Sequence, residues 1–107
     1  MANNYKNVKL DLTATTVTTL YTAPAAIQSI FKSILVSNDS GSADTITVTI
    51  TDSATAVFSV YKNEEVGALS SKELLSQPLI VMESEILKVT ATTADRLHVV
   101  ASFLEIT

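Results

Sequence analysis

Thr45-Ile46-Thr47-Val48-Thr49-Ile50-Thr51 alternates without a fault. Its period of two puts Ile46, Val48 and Ile50 on one face of an extended chain and the threonines on the other. Both residue types are β-branched, which suits a pleated surface and disfavours a helix. The same pattern continues in both directions. Upstream lie Val8–Leu12, Thr16–Tyr21 (ended by Pro24, which cannot donate to a ladder) and Ile27–Ser37. The last of these is too long for an ordinary strand and implies a corner or a bulge.

Asn38-Asp39-Ser40-Gly41-Ser42 is the strongest turn signal. Downstream, Asp52-Ser53-Ala54 turns the Thr45–Thr51 strand back into Ala56–Tyr61 as a hairpin. Lys62–Glu65 reads as a polar loop. Ser71–Leu75 is too short to hold a helix alone and reads as strand or turn. Pro78 opens Leu79–Met82, and Ile86–Thr92 and Leu97–Ile106 complete the set around Thr93–Arg96. About eight strands, with turn signals every 8–12 residues or so, predict an all-β fold: one antiparallel β-sandwich or jelly-roll-like domain over residues 8–107. Residues 1–7 are polar and are expected to form a flexible N-terminal arm.

At 107 residues the chain is one domain, large enough to bury a core unaided. It is 47% hydrophobic and only 17% charged, with a mean hydropathy of +0.33. That excess implies apolar surface turned toward partners. The absence of cysteine excludes disulfides and thiolate chemistry. No apolar run approaches the roughly 18 residues of a membrane helix, and the N-terminus has no apolar core of a secretory signal, so synthesis in a cytoplasm and no membrane partner are expected. A net charge of −4, with seven basic residues scattered singly, argues against nucleic acid as a partner.

Few residues invite a chemical reading. His98, the single histidine, suits a general base or a metal ligand, but it alternates with Leu97 and Val99 and reads better as a polar residue on a solvent face. Asp39, Asp44 and Asp52 flank turns and suggest weak calcium binding; without EF-hand spacing, capping of turns is the ordinary explanation. Glu83 and Glu85 bracket a turn. Two glycines, Gly41 and Gly67, cannot form a phosphate-cradling loop. The sequence therefore predicts no enzyme, no cofactor and no resident metal. The three phenylalanines alternate with polar residues and read as core, leaving Tyr5, Tyr21 and Tyr61 as aromatic contact points. Tyr5, Lys6, Asn7, Tyr21 and Tyr61 are the candidate interface residues, with the arm ordering on binding. The threonine faces are low in charge and weakly guarded against association.

The order of several segments resembles small virion structural proteins of tailed bacteriophages. A strand of the form L-Y-T-x-P, here Leu20–Pro24, leads to one of the form K-S-I-x-V-x-N, here Lys32–Asn38. The run Ala43-Asp44-Thr45-Ile46-Thr47-Val48, then Leu74-Leu75, Leu79–Val81, Ile86–Ala91 and Val99–Glu105 continue the likeness over nearly the whole chain after residue 7. The pattern usually has Gly-Asp before the L-x-V strand; Ser84-Glu85 stands there, so that turn must be built without glycine. The resemblance implies a β-sandwich or jelly roll without enzymatic activity: a head decoration (cement) protein, commonly trimeric, whose partners are the major capsid protein or other virion proteins. It implies residence in the virion after synthesis in the host bacterial cytoplasm. The alternative is a neck or tail-fibre accessory, or a receptor- or glycan-binding module.

Overall fold

The structure, a computed structural model, describes residues 3–107, all of them in strands, turns and loops. Nine strands form two antiparallel sheets: β1 (Asn3–Asp11), β2 (Thr18–Thr22), β3 (Gln28–Asn38), β4 (Asp44–Thr51), β5 (Val57–Val66), β6 (Ser70–Glu73), β7 (Leu79–Val81), β8 (Ile86–Ala91) and β9 (Leu97–Ile106). The first sheet runs β1-β9-β3-β6, with β7 also paired to β3; the second runs β2-β8-β4-β5. Packed face to face they make the β-sandwich that the alternation predicts.

The inward parity of each strand supplies the core. Phe31, Ile34 and Val36 of β3 and Leu97, Val99, Ala101 and Phe103 of β9 face Ile46 and Val48 of β4 and Leu87, Val89 and Ala91 of β8. The eleven-residue β3 is one strand with a bulge: Phe31 pairs with Phe103 and Ser33 with Ser102, so Lys32 is the extra residue. The parity change lets Phe31 and Ile34 both point inward.

Two polar segments differ from the sequence reading. From Asn3 onward the segment assigned to a loose arm is the first half of β1, in register from Asn3↔Ile106 to Asn7↔Ser102; Met1 and Ala2 lie outside the described residues. Lys62–Glu65, read as a loop, belongs to β5, where Glu64 and Glu65 pair with Ile46 and Thr45. Both are edge strands, which carry polar residues on faces no neighbour covers. Phe58 is a third difference. It lies at the hairpin end of edge strand β5 and is 58% exposed, not core.

Left-handed backbone falls on six residues other than glycine, among them Ser84 (φ 68°), Thr55 (φ 67°) and Asp95 (φ 65°). Ser84 is the position where the phage pattern places glycine, and it adopts the conformation glycine would supply. The β3–β4 turn is held by Asn38, which is buried. Its Nδ2 donates to the carbonyls of Ser42 (2.8 Å) and Val66 (3.1 Å), while its Oδ1 accepts from the Ser40 N–H and Oγ–H. Asn38→Ala strands the buried Val66 carbonyl and frees the turn. It is expected to cost about 2–3 kcal/mol, read from the shift in the urea midpoint.

Candidate interaction site

The outer face of the first sheet is ordered in rows, because strand registers place outward-facing residues side by side. One row is apolar from edge to edge: Tyr5 (β1) pairs with Leu104 (β9), Leu104 with Ile30 (β3), and Ile30 with Ile80 (β7). Tyr5 is 76% and Ile80 54% exposed, whereas Leu104 between them is only 8% exposed. A second row reads Lys9, Val100, Leu35, Glu73, with the two aliphatic residues part-exposed between opposite charges. A third reads Asp11, His98, Ser37, Ser71. Between the first two rows lies a polar one, Asn7, Ser102 and Ser33. Lys32, pushed out by the bulge, lays its Nζ 5.5 Å from the centre of the Tyr5 ring, a cation–π contact spanning β9. Tyr5, Lys6, Asn7, Lys32 and Ser102 border a shallow cleft of about 290 Å³ there.

Directly behind the apolar row lies a polar clamp between the sheets. The inward parity of β9 runs Leu97, Val99, Ala101, Phe103 and then Glu105, so a carboxylate occupies a core position and is 4% exposed. Such a group requires partners. Lys6 Nζ of edge strand β1 lies 2.8 Å from Glu105 Oε1. Tyr21 of β2, in the opposite sheet, donates its hydroxyl to Oε2 at 2.5 Å. With that proton committed, Ser29 Oγ, 2.6 Å from the phenol oxygen, is the donor in the remaining bond. The Lys6 ammonium, then the Tyr21 hydroxyl, hold the Glu105 carboxyl below its ordinary value of 4.5 against the opposing effect of burial. Burial, reinforced by the hydrogen bond to Glu105, pushes Tyr21 up from 10.0 to about 12. The Tyr21 ring packs edge-on against Phe31 (5.3 Å, 67°) and tilted against Phe103 (4.7 Å, 56°), and those two rings stack at 4.6 Å.

The candidate residues therefore separate. Tyr5 and Asn7 stand on the outer face. Lys6 points the other way, into the clamp. Tyr21 is committed to the interior, and Tyr61 of β5 packs half-buried against the core beside Val48, far from the other three positions on β1. Glu105 and Ser29 escaped the sequence reading, although Glu105's place on the apolar parity of β9 was the signal. Asp39 and Asp44 flank the β3–β4 connection and Asp52 begins the β4–β5 turn. Asp44 Oδ2 accepts the Thr93 N–H, Asp52 Oδ1 accepts the N–H groups of Ala54 and Ala56, and Asp39 Oδ2 lies 3.8 Å from His98 Nδ1. Among the described residues no group of three or more His, Cys, Asp or Glu is placed to hold a metal ion. His98 Nε2 lies 3.3 Å from Asp11 Oδ1, a pairing on an open surface.

The threonine face belongs to the outer side of the second sheet. Thr45 and Thr92 join their hydroxyls, Thr47 Oγ1 accepts the Asn63 N–H, and Thr51 is buried with no hydrogen-bond partner for its Oγ1 among the described residues. Because Lys6 closes the clamp, deleting residues 1–7 is expected to lower stability by about 2–4 kcal/mol, visible as a fall in melting temperature. An unchanged melting curve would contradict the clamp.

No protein-family model matches the sequence, and no curated protein matches it. Solved structures do match the fold. The subunit of Bacillus endospore appendages, a novel family of disulfide-linked pili, superposes with a TM-score of 0.60 at 14% identity, over 99% of this chain and 87% of its own. A pentameric capsid protein isolated from metagenomic phage sequences superposes with a TM-score of 0.51 at 19% identity, over 94% of this chain and 59% of its own. The chain spans about three-fifths of that capsid protein's length. The fold is thus a β-sandwich shared with phage capsid and pilus subunits. Among the described residues no helix is long and apolar enough to cross a membrane.

Proposed function

We propose that this chain is a non-enzymatic virion structural protein: a head decoration (cement) protein that binds the major capsid protein as a homo-oligomer, which the resemblance to tailed-phage proteins makes a trimer. The observation that carries the reading is the likeness of nearly the whole sandwich to a phage capsid subunit. The exposed apolar row of the first sheet supports it, since a sheet face bearing Tyr5 and Ile80 in the open gains from being covered. The polar groups that look chemical serve the fold: Glu105 and Tyr21 tie the sheets, and Asp44 and Asp52 hold turns. The mechanism is linkage. A module that binds the assembled shell better than its free subunits stabilises the shell.

Quantitative mass spectrometry of purified particles, scaled to the major shell protein, tests this. Copy number comparable to the shell lattice is the expected result. A few copies per particle would move the chain to the neck or tail, and its absence from the particle would overturn the reading.

A further inference from the structure

The rows of the first sheet's outer face have a symmetry of their own. A two-fold axis laid along the strands, midway between β9 and β3, exchanges the two sides of the sheet and keeps every row opposite itself. β1 of one copy then lies over β6 and β7 of the other, and β9 over β3. Under that operation Tyr5 meets Ile80, Val100 meets Leu35, and Lys9 meets Glu73, each contact made twice. Apolar falls on apolar and cation on anion, as an isologous interface requires. We infer that this face is a self-complementary docking surface for a second copy of this chain, packed sheet on sheet about a two-fold axis along the strands.

The charges agree with that geometry. Lys9 has no ion-pair partner among the described residues, and Glu73, whose Oε2 accepts the N–H groups of Ile34 and Leu75 and whose Oε1 accepts the Ser33 hydroxyl, remains exposed. In the polar row Asp11 falls opposite Ser71 and His98 opposite Ser37, so no like charges oppose each other there. Lys32 is the one cation near the axis. In each copy its ammonium is engaged by that copy's own Tyr5 ring. β1, β9 and β3, with the short β6 and β7 sharing the fourth place, make a face roughly 19 Å by 30 Å. That is an interface at the low end of the specific range, suited to association at high local concentration. The inference stands on the free protein and does not depend on the virion reading.

Sedimentation equilibrium over a concentration series reaching about 1 mM tests it. The chain should form a dimer. Lys9→Glu and Glu73→Lys should each weaken it about tenfold or more, because each sets two like-charge pairs face to face. An equimolar mixture of the two variants should regain wild-type affinity as a heterodimer, since both contacts then become opposite pairs. Should Glu73→Lys disturb the strand that Glu73 caps, Val100→Asp and Leu35→Lys repeat the design: each alone weakens, and the mixture recovers. A chain that stays monomeric throughout, an oligomer indifferent to these changes, or a mixture with no recovery would overturn the inference.

Discussion

Phe31→Ala is expected to lower stability by about 3–5 kcal/mol, the largest single loss available in this fold. Phe31 is fully buried, stacks on Phe103 at 4.6 Å and meets the edge of Tyr21 at 5.3 Å. Truncation therefore removes a large apolar surface and two ring contacts, and opens a cavity where Tyr21 of β2 in the second sheet packs on β3 and β9 of the first. Collapse is hindered because the neighbouring rings are tethered, Tyr21 through its hydroxyl and Phe103 through two paired strands. Urea unfolding should show a lower midpoint at unchanged slope. Phe58→Ala, at an exposed edge, should change stability by no more than about 1 kcal/mol. Equal losses at the two positions would refute the assignment of the core.

Glu105→Gln is expected to cost about 2–3 kcal/mol at neutral pH and to flatten the acid side of the stability curve. In the folded protein the Glu105 carboxyl titrates below its ordinary 4.5, so in that window the unfolded chain binds more protons. The carboxylate's contribution is complete above about pH 4.5 and is lost as pH falls through the lower, folded value. The half-exposed Lys6 partner tempers its size, since water screens one side of the pair. At the other extreme Tyr21 is raised from 10.0 to about 12, so the protonated phenol stabilises fully below pH 10 and its contribution disappears as pH rises toward 12. Stability measured against pH for the wild type, Glu105→Gln and Tyr21→Phe separates the two limbs. Glu105→Gln should remove dependence on the acid limb, and Tyr21→Phe on the alkaline one. Parallel curves for all three would sink the clamp as a titrating unit.

How far this molecule could be read in advance follows from where its signals reside. β4, β8 and β9 declared themselves because one face of each is buried, so apolar residues recur every second position. β3 betrayed its bulge by its length. The first half of β1 was invisible, because Asn3, Asn4, Lys6 and Asn7 carry no apolar period and the strand they pair with begins some ninety residues away. β5 was cut short for the same reason at Lys62–Glu65. The clamp depends on Tyr21 meeting Glu105 across 84 positions of chain, which no local pattern encodes. The parity of Glu105 showed only that a carboxylate needed a partner. Likewise Tyr5, Ile30, Ile80 and Leu104 become one surface row only through three registers, each set by tertiary pairing.

The central place of β9 in the first sheet bears on how the protein is made. β1 and β3 are its two neighbours, and neither pairs with the other. While the chain is being synthesised they are both out of the ribosome long before β9 is, and they wait without the strand that joins them. The outer face is equally unfinished, since Leu104, Ser102, Val100 and His98 each supply a member of a row. A nascent chain therefore has no completed face to offer another nascent chain on the same messenger. Its contact surface comes into being in the same step that closes the core, because β9 turns Leu97, Val99, Ala101 and Phe103 inward as it turns Val100 and Leu104 outward.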